Sequence, residues 1–304
     1  MLARRTLLKG MIATAGLQVL SRAAAATRAD AITRPIPSTG EQLPVMGMGS
    51  MKTFDVDDVK AEKARLTEVL QAFFDNSGAL IDSSPMYGNA EAVLGDVLQG
   101  VTGTDALFAA TKVWSEGKQQ GIDDMHRSMG RMRVTRFDLM QIHNLKDWRT
   151  QIETLKEWKA EGKIRYIGVT TSHGRRHDEL IAAMQAEAFD FVQFTYNIAD
   201  REAENRLLPL AQERGAATLI NLPFDRAELF QKVRGKPLPE WAAEIDCTSW
   251  AQFFLKFCLA HPAVTCLIPA TSKPHHMVDN MGAGFGRVPD EDMKRRMIEH
   301  MNSI

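Results

Sequence analysis

Cysteine is scarce in this chain: Cys247, Cys258 and Cys266 are the only three in 304 residues. An odd number without metal-ligand spacing excludes a disulfide framework and a thiolate metal centre, and leaves buried packing as the reading for all three thiols. Charge of one sign is also lacking, since 37 Lys and Arg face 38 Asp and Glu for a net charge of −1. With no long basic run in the body of the chain, nucleic acid is excluded as a partner. No apolar run reaches the roughly 20 residues that cross a bilayer, so no stable membrane anchor is expected. Tyrosine is rare, with three in the chain, which makes each phenol worth placing. What is present is ordinary for a globular protein: 44% hydrophobic and 25% charged residues. This length suits one large domain, and barrels of this size are commonly a single domain.

The first residues read as an address rather than as fold. Arg4-Arg5 is followed by Thr6, Leu7, Leu8 and Lys9, then by the mildly apolar GMIATAGLQVL and the small-residue run Ala23 to Ala26. A charged start, a short apolar middle and an Ala-x-Ala cleavage site make a secretory signal, and paired arginines point to the twin-arginine route. A frayed basic helix is the plainer alternative. The domain reading is therefore an export signal over 1–26 and one barrel domain over 27–304. The expected location is the periplasm, with the twin-arginine machinery as a partner, or the cytoplasm if the signal is not used. Cysteine scarcity agrees, because substrates of that route resemble one another in folding before export, often around a cofactor.

The body alternates between short apolar runs and segments of helical period. PIPSTGEQLPVMGMGS reads as a hairpin leading into a first strand. Further strands are expected at Ala79–Asp82, Leu107–Lys112, Phe137–His143, Ile164–Thr170, Phe191–Thr195, Ala217–Asn221 and Val264–Ile268. Helical periodicity covers Asp123–Met132, Thr150–Glu161, Glu204–Arg214 and Ser249–Ala260, and a final helix is expected over Pro289–Met301. Gly162 and Gly215 follow two of these helices, where a C-terminal glycine is favoured. A strand count near eight with intervening helices implies a parallel sheet closed into a (β/α)8 TIM barrel. An open doubly wound sheet is the runner-up. Gly47-Met48-Gly49 lacks the third glycine and helix start of a dinucleotide fingerprint and is set aside. The irregular stretch 222–248, with Pro223, Pro237 and Pro239, is long enough to be functional.

Four polar residues follow expected strands. Asp82 and Tyr87 lie in IDSSPMYGNAEAVLG, Lys112 in AATKVW and His143 in LMQIHN. In a barrel these belong at the C-terminal mouth, where active sites sit. A phenol with a reference pKa of about 10 is a poor donor near neutrality unless an adjacent ammonium lowers it. Lys112 is placed to do so, with Asp82 as its counter-charge and His143 to orient a substrate oxygen. Each residue has a plain alternative, such as an N-cap for Asp82 or a satisfied core position for His143. One site accounts for all four.

On these residues the chain resembles the aldo-keto reductases, from about Pro35 to the C-terminus. Asp82, Tyr87, Lys112 and His143 look like the family's catalytic tetrad, and IPATSKPHHMVDN, Ile268–Asn280, looks like its adenosine-phosphate signature. The resemblance implies reduction of aldehydes or ketones to alcohols, with NADP(H) held in an extended pose and Tyr87 as the general acid. It further implies cofactor contacts from Thr170 and Thr171, Gln193, Asn221, Ser272, Lys273, His276 and Asn280. Thr170-Thr171 stands where the family usually has Ser-Asn, Asn221 where it has an aromatic ring that stacks on the nicotinamide, and His276 where many members have arginine. NADP(H) is therefore expected over NAD(H) by a reduced margin. The expected substrate is a small carbonyl compound; in the periplasm the cofactor would either be exported bound to the protein or be recharged by a redox partner, unless the signal is not used. The alternative from another class is an exported nicotinamide-nucleotide-binding module or sensor with little turnover. No metal is expected: His173 and His177 have helical metal spacing, but Arg175 and Arg176 lie between them and no acidic or Cys ligand is evident. Trp114 and Trp148 are candidate pocket walls.

Overall fold

The computed structural model describes residues 31–172 and 176–304. The expected export segment and His173 lie outside the described residues. The described residues begin with an antiparallel hairpin, β1 (Thr33–Pro35) against β2 (Gln42–Pro44), with Arg34 opposite Leu43. Eight parallel strands follow: β3 (Met48–Gly49), β4 (Leu80–Asp82), β5 (Phe108–Val113), β6 (Phe137–Ile142), β7 (Ile164–Thr170), β8 (Phe191–Thr195), β9 (Ala217–Asn221) and β10 (Cys266–Leu267). Each pairs with its neighbour in sequence, so every crossover passes through a helix or loop on the outside, as a (β/α)8 barrel requires. The ends of the sheet meet through backbone bonds: Gly47 N–H to Leu267 O at 2.8 Å, Leu267 N–H to Val45 O at 2.9 Å, and Gly49 N–H to Pro269 O at 3.1 Å. A Cβ on Gly47 would lie 2.9 Å from Leu80 O and 3.0 Å from Cys266 Sγ. The Gly-x-Gly therefore serves close approach at the seam.

The outer helices are α1 (Val59–Asp75), α2 (Ala90–Leu98), α3 (Lys118–Met132), α4 (Trp148–Ala160), α5 (His177–Ala186), α6 (Leu207–Arg214), α7 (Glu228–Lys232), α8 (Trp250–Leu259), α9 (Pro274–Gly282) and α10 (Glu291–Ser303). Local chemistry sets several of their starts. Asp58 accepts from Ala61 N–H, Ser249 from Gln252 N–H and Asp290 from Met293 N–H, each satisfying an amide that has no intrahelical partner. Three sequence expectations shift. The expected helix over Glu204–Arg214 divides into a 3-10 turn over Glu202–Glu204 and α6, which carries Pro209 in its first turn, where the missing N–H costs nothing. The last strand contracts from Val264–Ile268 to Cys266–Leu267, the two residues that pair with Leu219 and Ile220 of β9. The stretch 222–248 is not structureless, for it contains α7 and the 3-10 turns Asp225–Ala227 and Glu240–Ile245.

Two apolar clusters divide the core. The larger lies between sheet and helices, with Phe73, Leu94, Met140, Leu155, Phe194 and Phe253 in it. The smaller fills the lower lumen, where Leu80, Phe108, Leu139, Tyr166, Phe191, Leu219 and Cys266 meet. Ile36 and Leu43 of the hairpin join it and plug the barrel from below. Tyr166 ties plug to barrel, its hydroxyl 2.6 Å from Glu41 Oε2 and 2.8 Å from Thr39 Oγ1. All three cysteines are free and buried, and burial pushes their thiols upward, Cys247 to about 12. Among the described residues no helix is long and apolar enough to cross a membrane.

Candidate active site

Strand alternation builds the site. Two residues beyond Leu80, Leu139, Phe191 and Leu219 on the same strands stand Asp82, Gln141, Gln193 and Asn221, all turned into the lumen above the apolar layer. Lys112 joins them from β5. Its Nζ lies 2.6 Å from Asp82 Oδ2 and 2.7 Å from Ser83 O, with both side chains of the ion pair almost wholly buried. The ammonium sits 5.2 Å from the Tyr87 ring centroid, and the His143 ring meets Tyr87 edge-on at 5.8 Å. The structure thus brings the four expected catalytic residues together.

Their electrostatics differ in one respect from the sequence expectation. Burial of the Tyr87 phenol raises its pKa above the ordinary value, and the nearby Lys112 charge only partly offsets this. The ammonium pulls in the expected direction, but desolvation is the larger effect. Burial also works against the Lys112 ammonium, yet Asp82 and Tyr87 outweigh it and the net shift is upward. His143 is pushed down to about 2 by burial, with Lys112 adding repulsion. It is therefore neutral at any working pH.

Neutrality makes its tautomer matter. His143 Nδ1 lies 2.9 Å from Ser84 Oγ, and that oxygen already accepts from Met86 N–H at 3.2 Å. A Ser84 hydroxyl that donates to Nδ1 leaves the histidine's own proton on Nε2, the tautomer able to donate to a substrate oxygen. Ser84 was not singled out in the sequence, although it lies in the same motif as Asp82 and Tyr87. Gln141, two residues before His143, was also missed: its Nε2 donates to Asp82 Oδ1 at 2.7 Å.

Above these groups opens a cavity of about 910 Å³. Tyr87, His143 and Asp82 line its floor together with Thr170, Thr171, Gln193 and Asn221. Thr170 Oγ1 accepts from Asn144 N–H at 3.0 Å, and Thr171 O accepts from Asn221 Nδ2 at 3.0 Å. Asn221 is thus held by hydrogen bonds where the resemblance led one to expect an aromatic face. Toward α9, His276 and Asn280 line the cavity. Ser272 and Lys273 stand at the start of α9 just outside the lining, and Arg65 of α1, missed in the sequence, donates to Ser272 O there. Burial, and then His275 and Lys273, lower the His276 pKa.

The wall opposite is apolar, with Met86, Phe224, Phe230 and Trp250. The 222–248 stretch supplies much of it, and Lys52 and Arg226 add positive charge. Trp114 and Trp148 are not among the lining residues, which corrects the sequence expectation. Trp114 packs under Lys146, whose Nζ is 4.8 Å from its ring centroid, and Trp148 is buried in the outer core. Elsewhere, His177 Nδ1 lies 3.4 Å from Glu202 Oε1. Among the described residues no group of three or more His, Cys, Asp or Glu is placed to hold a metal ion.

A buried lysine–aspartate pair beneath a phenol and an imidazole, at the C-terminal mouth of a parallel barrel, defines the class: a (β/α)8 barrel with a proton-donating cluster at its mouth. The sequence profile of the aldo/keto reductase family matches residues 45–298. The chain belongs to the aldo/keto reductase family. Among its relatives, glyoxal reductase of Bacillus subtilis is 24% identical over 265 residues, 84% of this chain and 88% of that protein. Methylglyoxal reductase YeaE of Escherichia coli is 25% identical over 240 residues, 77% of this chain and 83% of that protein. The fold is shared with an aldo/keto reductase from Klebsiella pneumoniae, solved with NADP and acetate, at a TM-score of 0.71 and 23% identity over 86% of this chain and 93% of that one. It is shared equally with a glycerol dehydrogenase from Gluconobacter oxydans, at a TM-score of 0.72 and 20% identity over 89% and 95% of the two chains.

Proposed function

We propose that the protein reduces small aldehydes and ketones to alcohols with NADP(H), Tyr87 acting as general acid. The observation that carries this is the cluster of Asp82, Lys112, Tyr87 and His143 at the floor of a cavity large enough for cofactor and substrate. Relatives that reduce glyoxal and methylglyoxal make small dicarbonyl compounds the first substrates to try.

The donor set suits a nicotinamide nucleotide. Thr170, Thr171, Gln193 and Asn221 present amide and hydroxyl groups to the cavity floor, which matches a carboxamide. Lys273, His276 and the N-terminus of α9 suit a phosphate, and Asn280 suits adenine. When bound, the reduced nucleotide supplies the hydride. The chain's own residues do the rest. His143, neutral with its proton on Nε2, donates a hydrogen bond that orients the carbonyl oxygen. Tyr87 then releases its proton to that oxygen as negative charge develops there, and Lys112 beside the ring stabilises the phenolate left behind. Asp82 keeps Lys112 charged and fixed. General acid catalysis of this kind contributes about 10²–10⁴-fold.

Tyr87→Phe tests the assignment. It should lower kcat for methylglyoxal by at least about 10²-fold while NADPH titration, followed by cofactor fluorescence, gives an unchanged Kd. Full activity in that variant would refute the acid role. A second reading, a nucleotide-binding module or sensor, draws on Asn221, which offers no ring to stack on a nicotinamide. Wild-type protein that binds NADPH without reducing any carbonyl would favour it.

We further propose that the Arg4-Arg5 segment directs export to the periplasm. Since NADPH is a cytoplasmic metabolite, the nucleotide would leave bound to the folded enzyme or be recharged by a redox partner. Replacing both arginines by lysine should retain the protein in the cytoplasmic fraction, and unaltered fractionation would count against export.

A further inference from the structure

The catalytic ion pair and the cofactor-binding amides are joined by side chains whose direction is fixed. Gln141 lies on β6 beside Lys112 on β5 and Gly168 on β7, and is completely buried. Its Nε2 donates to Asp82 Oδ1 at 2.7 Å, and its Oε1 accepts from Gln193 Nε2 at 3.0 Å. Gln193 Oε1 faces Asn221 Nδ2 at 3.4 Å, and Asn221 Oδ1 accepts from Thr195 Oγ1 at 2.7 Å. An ionised carboxylate accepts only, so the amide end that meets Asp82 must be the NH₂. The carbonyl end of Gln141 must then meet a donor, which makes the facing group of Gln193 its NH₂. One charge therefore determines which way round both glutamines lie.

A buried amide costs free energy unless both ends are paired, and only apolar residues stand one layer lower on the same strands. Space for this amide is also specifically provided. A Cβ on Gly168 would fall 2.7 Å from Gln141 Cγ, so β7 has no side chain where Gln141 crosses the lumen. Gln141 does not line the cavity. Its effect is exerted through its two neighbours.

We propose that Gln141 is a positioning residue that couples the proton-donating cluster to the cofactor site: it holds Asp82 Oδ1, leaving Oδ2 for Lys112, and it fixes the orientation in which Gln193 presents its amide. Turning Gln193 over would set carbonyl against carbonyl at Gln141. The inference rests on the carbonyl-reductase reading above, but its test separates the two.

Gln141→Glu keeps the shape and exchanges the NH₂ for an oxygen. At pH 7 the new carboxylate faces Asp82 and repels it. At pH 5 it can take a proton, and a carboxylic acid has the same donor and acceptor ends as the amide it replaces. The expected result at pH 7 is at least a tenfold fall in kcat for methylglyoxal together with at least a tenfold weaker NADPH Kd. Both should recover toward the values wild type shows at pH 5, giving an acid limb in kcat that wild type lacks. A merely structural role moves stability, not this profile. Kinetics and Kd parallel to wild type at both pH values would overturn the proposal. If Gln141→Glu does not fold, Gln141→Met decides: it must lower kcat and weaken NADPH binding at both pH values, and wild-type values for the two would overturn the proposal equally. Wild-type protein without reductase activity would sink the carbonyl-reductase reading instead. The Gln141 proposal would then stand or fall on the NADPH Kd alone, by the same criteria.

Discussion

In the lower lumen Phe108, Tyr166 and Phe191 pack ring on ring, with centroids 5.5–5.9 Å apart. Higher in the same barrel, on β5, β6 and β8, Lys112, Gln141 and Gln193 form hydrogen bonds to one another or to Asp82. Both layers come from one alternation on one set of strands. They differ in what holds them: the lower layer gains from burial and shape, which several apolar sets can supply. The upper layer depends on each donor meeting a particular acceptor, and removing one leaves a buried group without a partner. Rigidity in the first makes precise geometry available to the second.

The largest effect that separates the layers is expected from one substitution in each. Lys112→Met strands a buried carboxylate and should cost about 3–5 kcal/mol of stability, with reductase activity lost. Adding Asp82→Asn should restore most of the stability and none of the activity. Phe191→Ala in the lower layer should cost a similar amount, about 3–5 kcal/mol, while the folded enzyme keeps its kcat. Denaturant titration with parallel kinetics checks both, and a double variant that regains activity would break the distinction.

A smaller effect concerns pH. An acid must be protonated to act, and the Tyr87 pKa is raised, so reduction should hold through neutrality and fall only above about pH 10. His143, at about 2, contributes no limb near the ordinary histidine value. A profile with a limb at about pH 6.5 would show that His143 titrates in the working enzyme.

The smallest concerns the rim. Because the His276 pKa is lowered, the ring gains its proton, and so attracts a phosphate, only below about pH 6.5. NADPH affinity should rise as pH falls through that range, while NADH affinity, lacking the 2′-phosphate, should not. His276→Arg should tighten NADPH at pH 7 by about fivefold, the size of a single exposed charge contact of about 1 kcal/mol, and remove the pH dependence. Equal Kd values for the two cofactors in wild type would overturn the NADP(H) preference.

Much of the site was legible one strand at a time. Asp82, Lys112 and His143 end apolar runs, and position at a strand end is a local property. Gln141 and Ser84 were not singled out, since a lone glutamine inside an apolar strand or a serine in a turn has no local signal. Their meaning lies in partners 59 residues away in sequence, Asp82 for the one and His143 for the other. The sign of the Tyr87 shift was likewise hidden, because it depends on how much water the assembled wall excludes. The tryptophans misled for the converse reason: Trp114 and Trp148 follow strands, but Trp114 lies under Lys146 and Trp148 begins α4 in the outer core, and Trp250 from α8 lines the cavity instead.

By itself the sequence determined the alternation of strand and helix, the division of each strand into inward and outward residues, and the identity of the groups that can carry or release a proton. These follow from periodicity and side-chain chemistry, which need only neighbours along the chain. The tertiary structure alone decided that Gly47 and Leu267 close the sheet, that Gln141 spans from Asp82 to Gln193, and that burial outweighs Lys112 at the phenol. Those depend on barrel register and on the exclusion of water, and both are set only when all eight strands are in place.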